Sequence, residues 1–159
     1  MASSKELMYG RAGEHLVIVD LIKKGFEPFL TGRNANYDII LPILNGDVRD
    51  GSKLLRVQVK TTSKPGKMNS EYFTPVYIFH VRRAGKGSKR LYQVGEFDMF
   101  AFAMLDTMSV SYMLFTKEVN KTVILRDRRQ NYKVNTGRIA PYADDLTIER
   151  CVSSFHGGD

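Results

Sequence analysis

Two residues of one short segment could do chemistry together. In Val57-Gln58-Val59-Lys60-Thr61-Thr62 polarity alternates, so Arg56, Gln58 and Lys60 share one side of an extended chain and Leu55, Val57 and Val59 the other. An amide oxygen and an amine two positions apart suit phosphodiester hydrolysis if carboxylates stand near them. Magnesium prefers hard oxygen ligands, keeps several waters and needs only one or two acids aimed at the scissile phosphate. A lysine beside such a ligand can orient the attacking water and offset the charge that develops on phosphorus. Asp38, in Tyr37-Asp38-Ile39-Ile40, and Glu14, in an otherwise apolar helical stretch, are the acids that could complete the set.

The elements that must position them are legible as patterns. Asn36 to Leu41 reads as a strand with Tyr37, Ile39 and Leu41 on one face and Asp38 and Ile40 on the other, and Lys53 to Thr61 alternates more clearly. Asn45-Gly46 and Asp50-Gly51 between them are turn signals, so an antiparallel hairpin is the simplest arrangement. If it folds about residues 48 to 49, Asp38 lies opposite residues 58 to 60, within reach of Gln58 and Lys60. Lys5 to Lys24 is helical, with Met8, Ala12, Leu16, Val19 and Ile22 as the expected core stripe. Leu7, Ile18 and Leu21 form a second apolar side, from which Glu14 projects, and Gly25 is the expected stop. Taken alone, the polar side of a strand is an ordinary solvated face, and Arg11, one turn before Glu14, is an ordinary ion-pair partner for it.

Pro75 to Val81, Met99 to Leu105 and Val110 to Phe115 read as further strands, Thr122 to Leu125 as a short one, and Tyr142 to Cys151 as a closing helix. The expected class is α/β, a mixed central sheet flanked by helices. A chain of 159 residues suits one domain over 1–159, with a core at about 5–116 and a basic C-terminal extension at 117–159. Cys151 is the only cysteine, which excludes an internal disulfide or a cysteine zinc cluster and suggests a small core side chain. His15, His80 and His156 lack zinc-site spacing, no glycine-rich phosphate loop or membrane-length apolar run is present, and Met1 to Glu6 lacks a secretory apolar segment, so no leader is expected. An intracellular, cytoplasmic protein without membrane contact is expected.

The successive segments Gly10-Arg11-Ala12-Gly13-Glu14, Tyr37-Asp38-Ile39-Ile40 and Val57-Gln58-Val59-Lys60-Thr61-Thr62 resemble, in order and spacing, the motifs of PD-(D/E)xK nucleases. The Val-Gln-Val-Lys-Thr form, with Phe97-Asp98-Met99-Phe100-Ala101-Phe102 and Tyr112-Met113-Leu114-Phe115, is similar to the homing endonucleases of that superfamily associated with group I introns. The resemblance spans roughly residues 10 to 116. It implies a restriction-endonuclease-like αβββαβ core in which Asp38, Glu14, Gln58 and the Val59 carbonyl hold magnesium, with manganese able to substitute, and Lys60 assists water attack. Gln58 departs from the Asp or Glu of most members, which weakens metal binding; the branch in question uses glutamine there.

Lys and Arg number 24 against 17 Asp and Glu, a net charge of +7 that favours a polyanionic partner. Arg82, Arg83, Lys86, Lys89 and Arg90 lie among glycines in a run suited to tracking a phosphate backbone, and Lys64, Lys67, Arg128 and Arg129 could extend it, as could Arg126, Lys133 and Arg138. Asp98 is read as structural. The expected activity is site-specific hydrolysis of double-stranded DNA by a homodimer or homotetramer, because one site cuts one strand. A Holliday-junction resolvase and a non-catalytic DNA-binding module on the same fold are the alternatives.

Overall fold

The first helix, α1 (Ser4–Lys23), has Glu6 in its first turn and Lys23 in its last, both favourable to the helix dipole. It stops at Gly25, whose φ of 88° suits glycine. There the amides of Gly25 and Phe26 bond the carbonyls of Ile22 and Leu21, both at 3.0 Å, closing a Schellman motif. The buried face is Gly13, Leu16, Val17 and Leu21. The expected core stripe is therefore corrected: Met8, Val19 and Ile22 are 69%, 53% and 57% exposed, and only Leu16 of that set is buried. Gly13 decides the orientation. A Cβ on it would lie 1.8 Å from Thr61 Oγ1 and 2.8 Å from Thr61 Cβ, so only glycine allows this approach.

The structure is a computed structural model that describes residues 4–32, 34–43, 53–68, 72–82, 91–119, 121–130 and 140–156. Its strands are β1 (Phe29–Leu30), β2 (Ile39–Ile43), β3 (Lys53–Thr62), β4 (Gly66–Met68), β5 (Tyr72–His80), β6 (Met99–Met104), β7 (Ser109–Leu114) and β8 (Thr122–Leu125). A five-stranded sheet runs β1-β2-β3-β6-β7, and β4-β5-β8 form a separate three-stranded layer. Only β3 and β6 pair in parallel within the larger sheet, which makes it mixed, as expected. The Asn45-Gly46 and Asp50-Gly51 signals lie outside the described residues, yet the strands flanking them pair antiparallel, with Ile39 opposite Val57 and Ile43 opposite Lys53.

Strand β6 is buried at every position, and its two faces serve two cores. Met99, Ala101 and Ala103 join Leu55, Val57 and Val59 under α1 and the C-terminal helix α2 (Ile148–His156), through Leu16, Val17, Leu21, Ile148 and Cys151. Phe100, Phe102 and Met104 join Tyr77, Phe79, Val123 and Leu125 of the smaller sheet. Each fully buried phenylalanine contributes about 1.5–3 kcal/mol. Helices thus cover one face of the mixed sheet, as a sheet flanked by helices requires, and a β-layer covers the other. The crossover that joins parallel strands contains no helix among the described residues between Thr62 and Met99; β4 and β5 stand there instead.

The segment after residue 116 places β8 in the smaller sheet and α2 in the first core. A 3-10 turn at Ala143–Asp145 precedes α2, so the closing helix starts later than Tyr142. Cys151 is buried, which pushes its thiol up to about 11. The Tyr112 hydroxyl donates to Asp20 Oδ2 at 2.6 Å, tying β7 to α1. No helix among the described residues is long and apolar enough to cross a membrane.

Candidate active site

Strand pairing stops where the polar residues meet. The Asp38 amide still bonds the Val57 carbonyl at 2.9 Å, but β2 begins only at Ile39, and the preceding chain bends toward Thr31. The Thr31 hydroxyl bonds the Tyr37 carbonyl, and the Thr31 amide bonds the Asp38 carbonyl at 2.9 Å. The Val59 peptide is thereby released from the β2 side of the sheet. Its N–H donates to Asp38 Oδ2 at 2.8 Å, and its carbonyl lies 3.5 Å from Gln58 Nε2, which also donates to Asp38 Oδ2 at 2.6 Å. A side chain has replaced the missing strand partner.

Glu14 comes from α1, one residue beyond the Gly13–Thr61 contact that seats the helix on β3. Burial raises its pKa, and the charge of Asp38 raises it further. Asp38 is itself raised by burial, against the lowering effects of the Val59 amide, Lys60 and Gln58. The acids therefore stand within electrostatic range of each other in a desolvated setting. Among the described residues Glu14 makes no ion pair, with Arg11 or any other cation, though Arg11 and His15 lower its pKa slightly from a distance.

Burial lowers the pKa of Lys60, and Asp38 partly restores it. Among the described residues the ammonium has no ion-pair partner. It donates to two neutral oxygens, the Arg82 carbonyl and the Tyr92 hydroxyl, each at 2.9 Å, and lies 4.9 Å from the Tyr92 ring centroid. The register puts Gln58 beside Phe100 and Lys60 beside Phe102 on β6, so both side chains rise on the face toward the smaller sheet.

The donors suit a hard divalent cation. Asp38 Oδ2 and the Val59 carbonyl are both addressed by the single Gln58 amide nitrogen, so the two oxygens face one point. Half a turn of that amide would present Oε1 in its place, so the oxygens there are hard donors, with Glu14 in electrostatic range. Among the described residues no group of three or more His, Cys, Asp or Glu is placed to hold a metal ion.

Of the basic residues read as a phosphate surface, Arg82 is exposed and bridges to Leu91, so residues on both sides of the basic run sit beside Lys60. Arg83, Lys86, Lys89 and Arg90 lie outside the described residues, as do Lys133 and Arg138. Lys64 and Lys67 are exposed just past the end of β3. Arg128 is paired with Asp144 at 2.7 Å and Asp145 at 2.8 Å, and Arg129 with Asp127 at 2.5 Å, so their charge is largely matched within the fold. Arg126 is buried against the Tyr142 ring at 3.9 Å. A cavity of about 510 Å³ lies by these pairs, among Asp20, Tyr77, Asp127 and Arg129, and none of the candidate acids lines it. Asp98 is structural, as expected: it accepts from the Arg56 amide at 2.7 Å and its guanidinium at 3.0 and 3.1 Å. Sequence reasoning missed the roles of Gly13 and Tyr92; the signal for Tyr92 was its position two residues after the end of the basic run.

No protein-family model and no curated protein matches the sequence. Among solved structures the fold is similar to that of a bacterial homing endonuclease, I-Ssp6803I, over 98% of this chain and 96% of that one, with a TM-score of 0.65 at 16% identity. The chain therefore has a homing-endonuclease-like α/β fold.

Proposed function

We propose that this chain is a magnesium-dependent DNA endonuclease with a PD-(D/E)xK core, acting at specific sites as a homing endonuclease does. The observation that carries the reading is the convergence of Asp38, Gln58, the Val59 carbonyl and Lys60 where β2 begins, with Glu14 in electrostatic range. Likeness in fold to a bacterial homing endonuclease supports it. Asp38, Glu14, the Val59 carbonyl and Gln58 Oε1 would hold magnesium, or manganese in its place. The ion would supply Lewis-acid stabilisation of charge on the phosphate oxygens. Lys60 orients the attacking water and offsets developing charge, and burial strengthens its effect. A neutral amide at Gln58 leaves only two formal negative charges in the set, which weakens the grip on the ion.

Double-stranded DNA would lie along Arg82, Lys64 and Lys67 and the run Arg83, Lys86, Lys89 and Arg90, whose phosphate contacts give affinity and register. Arg128 and Arg129 contribute less, being matched by acids. A homodimer or homotetramer brings two sites to the two strands. Met8, Val19 and Ile22, exposed along α1, offer apolar surface for such an assembly to cover.

Gln58 also favours a second reading, a DNA-binding module without catalysis. One assay separates them: duplex DNA is selected from a random-sequence library by binding in calcium, then incubated with magnesium. The nuclease reading expects cutting by the wild type and a loss of at least about 100-fold in Asp38→Asn, with DNA binding retained. Binding without magnesium-dependent cutting, or equal cutting by both proteins, contradicts it.

A further inference from the structure

We infer that Tyr92 is a positioning residue for Lys60, an inference that rests on the nuclease reading. A lysine side chain has four rotatable bonds and a large rotamer entropy, so an ammonium that must face a phosphate needs fixed acceptors. Ion-pairing to Asp38 would fix it but would occupy the acid. The structure uses neutral oxygens instead, the Tyr92 hydroxyl and the Arg82 carbonyl, each 2.9 Å from Nζ. Neither cancels the positive charge.

Both acceptors are anchored. The Tyr92 ring packs edge-on against Phe97 at 5.0 Å and Phe100 at 6.0 Å, within the second core. Phe100 is also the β6 partner of Gln58, so one aromatic residue supports the strand position of the amide and the ring that holds the amine. The Arg82–Leu91 bridge secures the other acceptor in the residue next to Tyr92. A rigid support holding a flexible group at a defined place is how a reacting site is preorganised.

Tyr92→Phe keeps the ring and removes the hydroxyl that accepts from Lys60. With the selected duplex under single-turnover conditions, this variant is expected to cut about tenfold more slowly or worse, the scale of a lost hydrogen bond to a charged group. Its DNA dissociation constant and melting temperature are expected to match the wild type. A merely structural tyrosine predicts the reverse, a lower melting temperature or weaker DNA binding without a specific loss of rate. An unchanged cutting rate in Tyr92→Phe, with the wild type active, overturns this inference and leaves the nuclease reading standing. A rate loss that follows a fall in melting temperature or DNA affinity also overturns it. Binding by the wild type without magnesium-dependent cutting overturns both.

Discussion

Two acid–base groups share one face of β3, and only one of them is closed. Near the start of the strand, Arg56 and Asp98 are joined by the guanidinium and the backbone amide together, so each charge is answered by its partner and the parallel register of β3 on β6 is pinned. Four residues on, Asp38 and Lys60 attract each other yet do not pair: the acid takes neutral donors and the amine neutral acceptors, with Glu14 adding a second acid. The difference separates architecture from chemistry. A closed pair supplies stability and has little left for a ligand, whereas charges buried apart cost stability and retain the capacity to bind a cation and a phosphate.

Exchanging the two groups in experiment gives opposite signatures. Lys60→Met, at the open end, is expected to lose about 100-fold or more of cutting while leaving the melting temperature unchanged or higher, because a desolvated charge is replaced by an apolar chain of similar length. Gly13→Ala forces a methyl into Thr61 and is expected to cost about 1–3 kcal/mol in chemical denaturation, with cutting also reduced because Glu14 moves with the helix. At the closed end, Asp98→Ala strands the Arg56 amide and guanidinium; about 2 kcal/mol of stability is expected to go, and the cutting rate of the folded protein to stay.

The smallest effect is a pH dependence. Asp38 is raised in the folded protein, so the unfolded chain ionises first and folding becomes less favourable as pH rises through the carboxylate range. Thermal melts without divalent ions are expected to show wild type and Asp38→Asn alike at low pH and the variant more stable above that range. A wild type more stable than the variant above that range would mean that the carboxylate is stabilised when charged, as in a closed pair.

Much of the open group was legible in the sequence because a hairpin has few degrees of freedom. The alternation of Leu55 to Lys60 fixes which side chains share a face, and a fold about residues 48 to 49 sets Asp38 near Gln58, as the Ile39–Val57 register bears out. The face of α1 was misread because the helix is apolar on both sides, so periodicity could not choose between them; the choice fell to Gly13, whose lack of a side chain reads as weakness in a sequence and acts as a close contact in the fold. An apolar run announces a strand without saying which sheet takes it, which is why the smaller layer of β4, β5 and β8 was missed. Tyr92 escaped because its meaning depends on Lys60, thirty-two positions earlier in the chain.

Manganese binding tests the central claim most directly, since it asks for the ion and not for its consequences. Electron paramagnetic resonance of free manganese, titrated with the protein on its selected duplex, is predicted to show one saturable ion per chain, lost in Asp38→Asn and kept in Asp98→Ala. Equal binding by wild type and Asp38→Asn, or no saturable binding at all, would contradict the account.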